Sequence, residues 1–145
     1  MINLPSNSDF IELYVSYIYS KQTFPEGREQ FSFSYDYDNS EAVVFGGIST
    51  NNSNKIWKFN PEGYKWGIIE NDSKSIYNRY GHTSILYKKN LYIFGGKARI
   101  SNLHMFQDLD IFDMENKTWI FPNINSKMQM KLRRGHIAIL IGNIN

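Results

Sequence analysis

Apolar and polar residues alternate in short runs along most of this chain, with the two-residue period of β-strands. Residues 31–37 read Phe-Ser-Phe-Ser-Tyr-Asp-Tyr, which predicts a strand with two unlike faces. Similar runs at 41–45, 56–59 and 64–69 are separated by polar turns or by turns that contain Pro and Gly. The pattern therefore predicts four short strands joined by hairpin turns, with no helix between them.

The same order of strands and turns then begins again. Residues 80–87, 91–94, 109–112 and 118–121 predict a second set of four strands, and residues 133–140 begin a third. A repeated unit of this size is typical of repeat architectures, in which each copy packs against its neighbours.

An ordered set of residues marks the copies. An arginine comes first, a Gly-His pair follows, two glycines end the second strand, and an aromatic residue lies seven positions before a tryptophan. The residues that carry this pattern are Arg28, Gly46, Gly47, Phe59, Trp66, Arg79, Gly81, His82, Gly95, Gly96, Phe112, Trp119, Gly135 and His136, with Arg133 or Arg134 as the third arginine.

This ordered set resembles the kelch repeat. The resemblance implies an all-β fold, a kelch-type β-propeller in which each repeat forms one four-stranded antiparallel blade around a central channel. It also implies that the arginine ties adjacent blades together by hydrogen bonds. The first copy departs from the pattern, because Gln30-Phe31 or Ser32-Phe33 stands in place of Gly-His. The usual tyrosine before the tryptophan is replaced by Phe59 and Phe112.

The repeat divides the chain into residues 25–70 as a first blade, 71–122 as a second and 123–145 as the start of a third. Residues 1–24 form an N-terminal segment, and we interpret 10–19 as the outer strand of a preceding blade. Such a propeller is incomplete and open, so its end blades would expose apolar faces and strand edges. We expect the remaining blades to come from a longer propeller in cis or from other chains in trans.

Composition narrows the function classes. A net charge of +2 does not indicate a nucleic-acid-binding surface. The chain has no cysteine, which excludes disulfides, thiolate metal sites and cysteine nucleophiles. No basic leader precedes the apolar residues near the N-terminus, and no apolar run is long enough to span a bilayer. These features predict a cytoplasmic protein that binds neither nucleic acid nor membrane.

No residue pattern predicts catalysis, a metal site or a cofactor. His82 and His136 hold the same position in two repeats, which favours a structural role because repeat-equivalent residues lie on successive blades. Asp36 and Asp113 adjoin predicted turns, where aspartate is favoured locally. The Gly-x-Ser-x-Gly, His-Glu-x-x-His and phosphate-loop patterns are absent.

The remaining candidates are residues in or beside loops that differ between the copies. Basic residues gather in them, and an acidic partner surface is one interpretation while a solvated loop is the other. The predicted partner-binding positions are Lys97, Arg99, His104, Lys131 and Arg134. The leading hypothesis is a non-enzymatic protein–protein interaction module. The alternatives are a piece of a propeller enzyme, with its site in missing blades, and a structural subunit of a large complex.

Overall fold

The computed structural model describes residues 23–50, 54–70, 76–98, 105–123 and 131–142. Their regular structure is entirely β, and none of these residues belongs to a helix. The same residues contain no helix that could cross a membrane. The strands are β1 (Ser32–Asp36), β2 (Glu41–Phe45), β3 (Ile56–Asn60), β4 (Lys65–Ile69), β5 (Arg79–Tyr80), β6 (Thr83–Tyr87), β7 (Asn90–Phe94), β8 (Lys97–Ala98), β9 (Leu109–Asp113) and β10 (Thr118–Ile120).

Two four-stranded antiparallel sheets contain most of the strands. The first sheet has the order β1-β2-β3-β4 and the second has the order β6-β7-β9-β10. We call them the first and second blades. In both, each strand pairs with the next one along the chain, apart from the insertion of β8 before β9. The prediction of an all-β fold built from open, four-stranded antiparallel blades is confirmed.

Hydrogen bonds between aspartate side chains and nearby backbone groups stabilise two of the hairpin turns. The Asp36 carboxylate accepts from the backbone N–H groups of Asp38 and Asn39, at 3.0 and 3.2 Å. Asp113 accepts in the same way from Glu115 and Asn116, both at 2.9 Å. These aspartates therefore hold turns, because a carboxylate oxygen can satisfy backbone donors that the tight bend leaves unpaired.

The run at 80–87, predicted as one strand, is two strands in the structure. Gly81 lies between β5 and β6 with a φ of 65°, a left-handed conformation that interrupts the ladder. β5 instead pairs with β8, where Tyr80 lies opposite Lys97. The loop that follows Gly95-Gly96 therefore begins with two residues that belong to a third sheet, formed by β5 and β8 alone.

Residues 131–142 form no strand, although their start resembles a blade's first strand. In each complete blade the first strand pairs with the second strand of the same blade, as β1 does with β2 and β6 with β7. Among the described residues no such partner exists for 131–142. The interpretation of 10–19 as a strand concerns residues outside the described ranges.

The hydrophobic core lies within and between the two blades. Its most buried members come from the second and third strands of the sheets, and Phe45 of β2 contacts Trp119 of β10 with ring centroids 5.7 Å apart. The core residues are Val43, Phe45, Ile56, Ile69, Ile76, Leu91, Ile93 and Phe112. Burying each such side chain stabilises the fold by about 1.5–3 kcal/mol, so the two blades form one packed unit.

Candidate functional site at the blade junction and loop face

A series of backbone hydrogen bonds joins successive repeats. Gly81 donates its N–H to the carbonyl of Gln30 at 2.9 Å, and Gly135 donates to the carbonyl of Gly81 at 2.7 Å. All three residues have a positive φ, of 54°, 65° and 66° in chain order. Gln30 therefore holds the glycine position of the first copy, and Phe31 holds the histidine position. This settles which pair replaces Gly-His.

The two glycines after the second strand receive the next repeat. Gly47 donates its N–H to the carbonyl of Arg79, and Gly96 donates to the carbonyl of Arg133, both at 2.9 Å. A Cβ atom on Gly46 would lie 2.6 Å from the Arg79 carbonyl oxygen. These glycines are therefore contact points for the neighbouring repeat. The matched bonds also show that Arg133, rather than Arg134, corresponds to Arg79.

Each of the two histidines that the structure describes bonds to a hydroxyl group of the preceding repeat. The Nε2 atom of His82 lies 2.8 Å from Ser32 Oγ, and that of His136 lies 3.0 Å from Thr83 Oγ1. The ring of His82 also meets Phe45 edge-on, with centroids 5.4 Å apart. The two imidazoles therefore serve successive junctions and do not converge on a shared site.

The electrostatics of His82 favour the neutral ring. Burial and, secondarily, the positive charge of Arg79 lower the pKa of His82 from 6.5 to about 3. Burial, together with Arg133, also lowers the pKa of His136. A neutral imidazole can both donate and accept hydrogen bonds, which suits its hydroxyl partner.

The guanidinium of Arg79 is fully buried within its own repeat. Its Nη1 atom donates to the Gly95 carbonyl at 3.3 Å and to Asp108 at 3.2 Å, while Nη2 bonds to Asp110. The ring of Phe106 covers it, with its centroid 3.9 Å from Cζ. The resemblance implies that the arginine ties adjacent blades together by hydrogen bonds, and in Arg79 the backbone carbonyl makes this bond, to the N–H of Gly47.

Arg28 repeats part of this arrangement with fewer partners. Its Nη1 atom donates to the Gly46 carbonyl at 2.9 Å, and its Nε atom donates to the Glu26 carbonyl at 3.2 Å. In the second repeat, two carboxylates on one face of the chain form ion pairs with the arginine. They are Asp108 and Asp110, which both bind Arg79. Burial raises the pKa of Asp110 while Arg79 opposes the shift. The pair therefore fixes an arginine, and nothing in its contacts indicates acid–base chemistry.

The tryptophan of each repeat motif lies across the outer strand pair from the predicted phenylalanine. Phe59 and Trp66 face each other with centroids 4.9 Å apart, as do Phe112 and Trp119. Trp119 also reaches the first blade through Phe45. The matched spacing in sequence is thus a matched cross-strand contact.

The structure places two of the predicted loop residues, Lys97 and Arg134, beside Tyr80. Lys97 pairs through its backbone with Tyr80, and the Arg134 guanidinium lies 6.0 Å from the Tyr80 ring centroid. Arg133 lies 5.7 Å from the ring centroid of Phe94. We call Lys97, Lys131, Arg133 and Arg134 the basic loop patch. Arg99 and His104 lie outside the described residues.

Sequence reasoning missed the aromatic neighbour of this patch. The alternating pattern indicates Tyr80 only as part of a strand, although an aromatic residue directly before the glycine position is well placed to carry a guanidinium. Arg133 belongs to the basic residues that the sequence places in these loops, but it is not among the predicted partner-binding positions. Within the described residues, no group of three or more histidines or carboxylates is arranged to hold a metal ion.

Comparison with known proteins agrees with this geometry. The family model of the KLHDC2/KLHL20/DRC7 kelch-repeats domain matches residues 8–144. A Rho GTPase-activating protein of Dictyostelium discoideum, gacHH, is 30% identical over 112 residues, which cover 75% of this chain and 6% of that relative. The chain thus corresponds to a small part of the relative. The chain belongs to the kelch-repeat family, and its two four-stranded sheets are blades of an incomplete kelch β-propeller.

Proposed function

We propose that this chain is a non-enzymatic protein-interaction module that binds an acidic segment of a partner protein through the basic loop patch. Membership of the kelch-repeat family supports a protein-interaction propeller in general terms. The patch adds a specific location and a charge preference. We further propose that residues 25–70 and 71–122 are separate blades and that 123–145 begins a third. The cytoplasmic location stays a prediction.

The observation that carries the proposal is the contrast between two kinds of arginine. Arg79 is buried and its charge is matched by Asp108 and Asp110. Arg133 and Arg134 are exposed, and no described residue forms an ion pair with either. Guanidinium groups held beside aromatic rings lose less conformational freedom on binding and can engage carboxylates through two parallel hydrogen bonds.

The neighbouring positions strengthen the patch as a binding surface. Lys97 is fixed in β8 opposite Tyr80, and Lys131 is exposed two residues before Arg133. The Arg133 Nε atom donates to the Lys131 carbonyl at 3.1 Å, which orients its side chain. Hot spots of interfaces are enriched in arginine and tyrosine, so this combination suits a protein partner.

Affinity capture with charge-reversed baits tests the proposal. The double variant Lys97→Glu/Arg134→Glu is compared with the unaltered chain, and Lys65→Glu, at the start of β4 away from the patch, is the matched control. We expect specific partners to be recovered at least about tenfold less with the double variant, in line with losing one or two charged contacts. The control should retain them.

Equal recovery of every partner by all three baits would contradict the patch as the binding surface. Circular dichroism on each bait separates lost binding from lost folding. Two further assays distinguish the interaction module from the enzyme and structural-subunit alternatives. Turnover by an assembled propeller that contains this chain would favour the first, and obligate copurification in one fixed complex would favour the second.

A further inference from the structure

Both ends of the described blade series expose apolar side chains. On the first blade, Phe31 and Phe33 are 41% and 60% exposed. On the C-terminal segment 131–142, Ile137 and Ile139 are 89% and 72% exposed. Large apolar side chains grouped in this way mark interaction surfaces more often than ordinary solvated ones. We call the first pair the N-terminal face and the second pair the C-terminal face.

The internal junction gives a rule for which positions meet. The residues of each repeat are counted from its glycine position, which is Gln30, Gly81 or Gly135. The first residue after the glycine position contacts the second residue after the glycine position of the preceding repeat. His82 meets Ser32 by this rule, and His136 meets Thr83. Two positions further along, Ser84 Oγ lies 2.8 Å from Ser34 Oγ. All these internal pairs join a polar group to a polar group.

Applied to the two ends, the same rule gives apolar pairs. Phe31 occupies the histidine position, and Ile137 occupies the hydroxyl position that it would meet. Phe33 occupies the position of Ser84, and Ile139 occupies the position of Ser34. If an end face packed against a face of the internal junction, an imidazole or hydroxyl group would lie against an apolar side chain. That polar group would then have no hydrogen-bond partner. The two end faces therefore match each other better than either matches an internal face.

The backbone continues the same series. Gly81 donates to Gln30, and Gly135 donates to Gly81. If a second molecule continued the series, the N–H of its Gln30 would donate to the carbonyl of Gly135 in the first molecule. Gln30 already has the positive φ that its two counterparts share, so the step needs no new backbone conformation at this position.

We propose that the C-terminal face of one copy of this chain binds the N-terminal face of a second copy, head to tail. The interface repeats the internal junction, with Phe31 against Ile137 and Phe33 against Ile139. An interface of this kind joins two different surfaces, so it can extend from copy to copy and closes when the rotation completes a ring. The apolar side chains that make this contact are not residues of the basic loop patch.

Sedimentation velocity on the 145-residue chain tests this proposal. We expect self-association that depends on concentration, and we expect Phe33→Asp and Ile139→Asp each to weaken it at least about tenfold. Phe121→Asp, an equally apolar and exposed residue just beyond β10, is the control that should associate normally. Circular dichroism establishes that each variant is folded. If an aspartate variant does not fold, Phe33→Ser and Ile139→Ser replace it with the residues of the internal junction.

Mixing the two variants gives the decisive result. The Phe33→Asp copy keeps an intact C-terminal face, and the Ile139→Asp copy keeps an intact N-terminal face. Head-to-tail binding predicts that the mixture forms a one-to-one dimer that grows no further. A mixture that stays monomeric overturns the proposal. An unaltered chain that stays monomeric also overturns it.

Discussion

Replacing Gly46 with alanine tests the blade junction most specifically. Gly46 has a φ of 65°, and an added Cβ would lie 2.5 Å from His82 Cε1 and 2.6 Å from the carbonyl oxygen of Arg79. The left-handed conformation costs a non-glycine residue about 1–2 kcal/mol. Overpacking against a fixed neighbour costs about 1–3 kcal/mol more. Gly46→Ala should therefore lower the free energy of unfolding by about 2–5 kcal/mol.

Two further glycines separate the conformational cost from the steric one. Gly81 also has a φ of 65°, but the nearest atom to its added Cβ is the side-chain Cβ of Arg134 at 3.2 Å. Gly81→Ala should cost about 1–2 kcal/mol, close to the conformational cost alone. Gly27 has no heavy atom within 4 Å of an added Cβ, so Gly27→Ala should be close to neutral.

Urea unfolding followed by tryptophan fluorescence measures all three variants. The expected order of stability is Gly27→Ala above Gly81→Ala above Gly46→Ala, with unchanged slopes against urea. Equal losses for Gly46→Ala and Gly81→Ala would refute the argument that the neighbouring repeat packs onto the glycine pair. A neutral Gly46→Ala would refute the junction geometry altogether.

Three other predictions concern the same junction. Gln30→Gly should raise the unfolding free energy by about 1 kcal/mol, because glycine adopts the positive φ of this position without strain. A lower unfolding temperature for this variant would contradict the prediction. Folding lowers the pKa of His82 from 6.5 to about 3, so the unfolded chain binds more protons between those values. Stability should therefore fall as the pH falls through this window, by about 1.4 kcal/mol per pH unit from His82, and His82→Asn should flatten the urea-unfolding profile. Arg79→Met leaves Asp110 buried without its cation and should cost about 3–5 kcal/mol, against about 1 kcal/mol for Arg28→Met, and equal losses in urea unfolding would contradict the charge cluster.

The repeat itself could be predicted from the sequence because its signals are local. Alternating residues located the strands, and the spacing from Phe59 to Trp66 became a cross-strand contact. The paired glycines correctly marked the end of a second strand. Their contacts explain why, since a side chain on Gly46 or Gly95 would strike the next repeat, and one on Gly47 or Gly96 would strike its own repeat.

The partners of the junction could not be predicted in the same way, because they lie far apart in the chain. Ser32 bonds to His82 across two repeats, and no spacing rule indicates that pair before the repeats are superposed. The first copy was ambiguous for a related reason. Gln30 adopts a conformation that normally identifies glycine, so the sequence carries no marker for it.

The proposed binding surface could be predicted only in part. Lys97 and Arg134 were predicted as separate loop residues, and the pairing of β5 with β8 is what brings both to Tyr80. The buried cluster of Arg79 was not predicted as a unit. Asp108 follows a loop whose length differs between the copies, which hides its relation to the arginine.

The central claim is that the kelch blades join through a repeated glycine junction, which leaves the basic loop patch available to a partner. Amide hydrogen exchange at Gly47 and Gly81 tests it directly, because both N–H groups donate across the junction at 2.9 Å. Both amides should be protected as strongly as those in the middle of β2, since opening either requires the blades to separate. Exchange at both sites as fast as at the exposed Gly27 would contradict the claim.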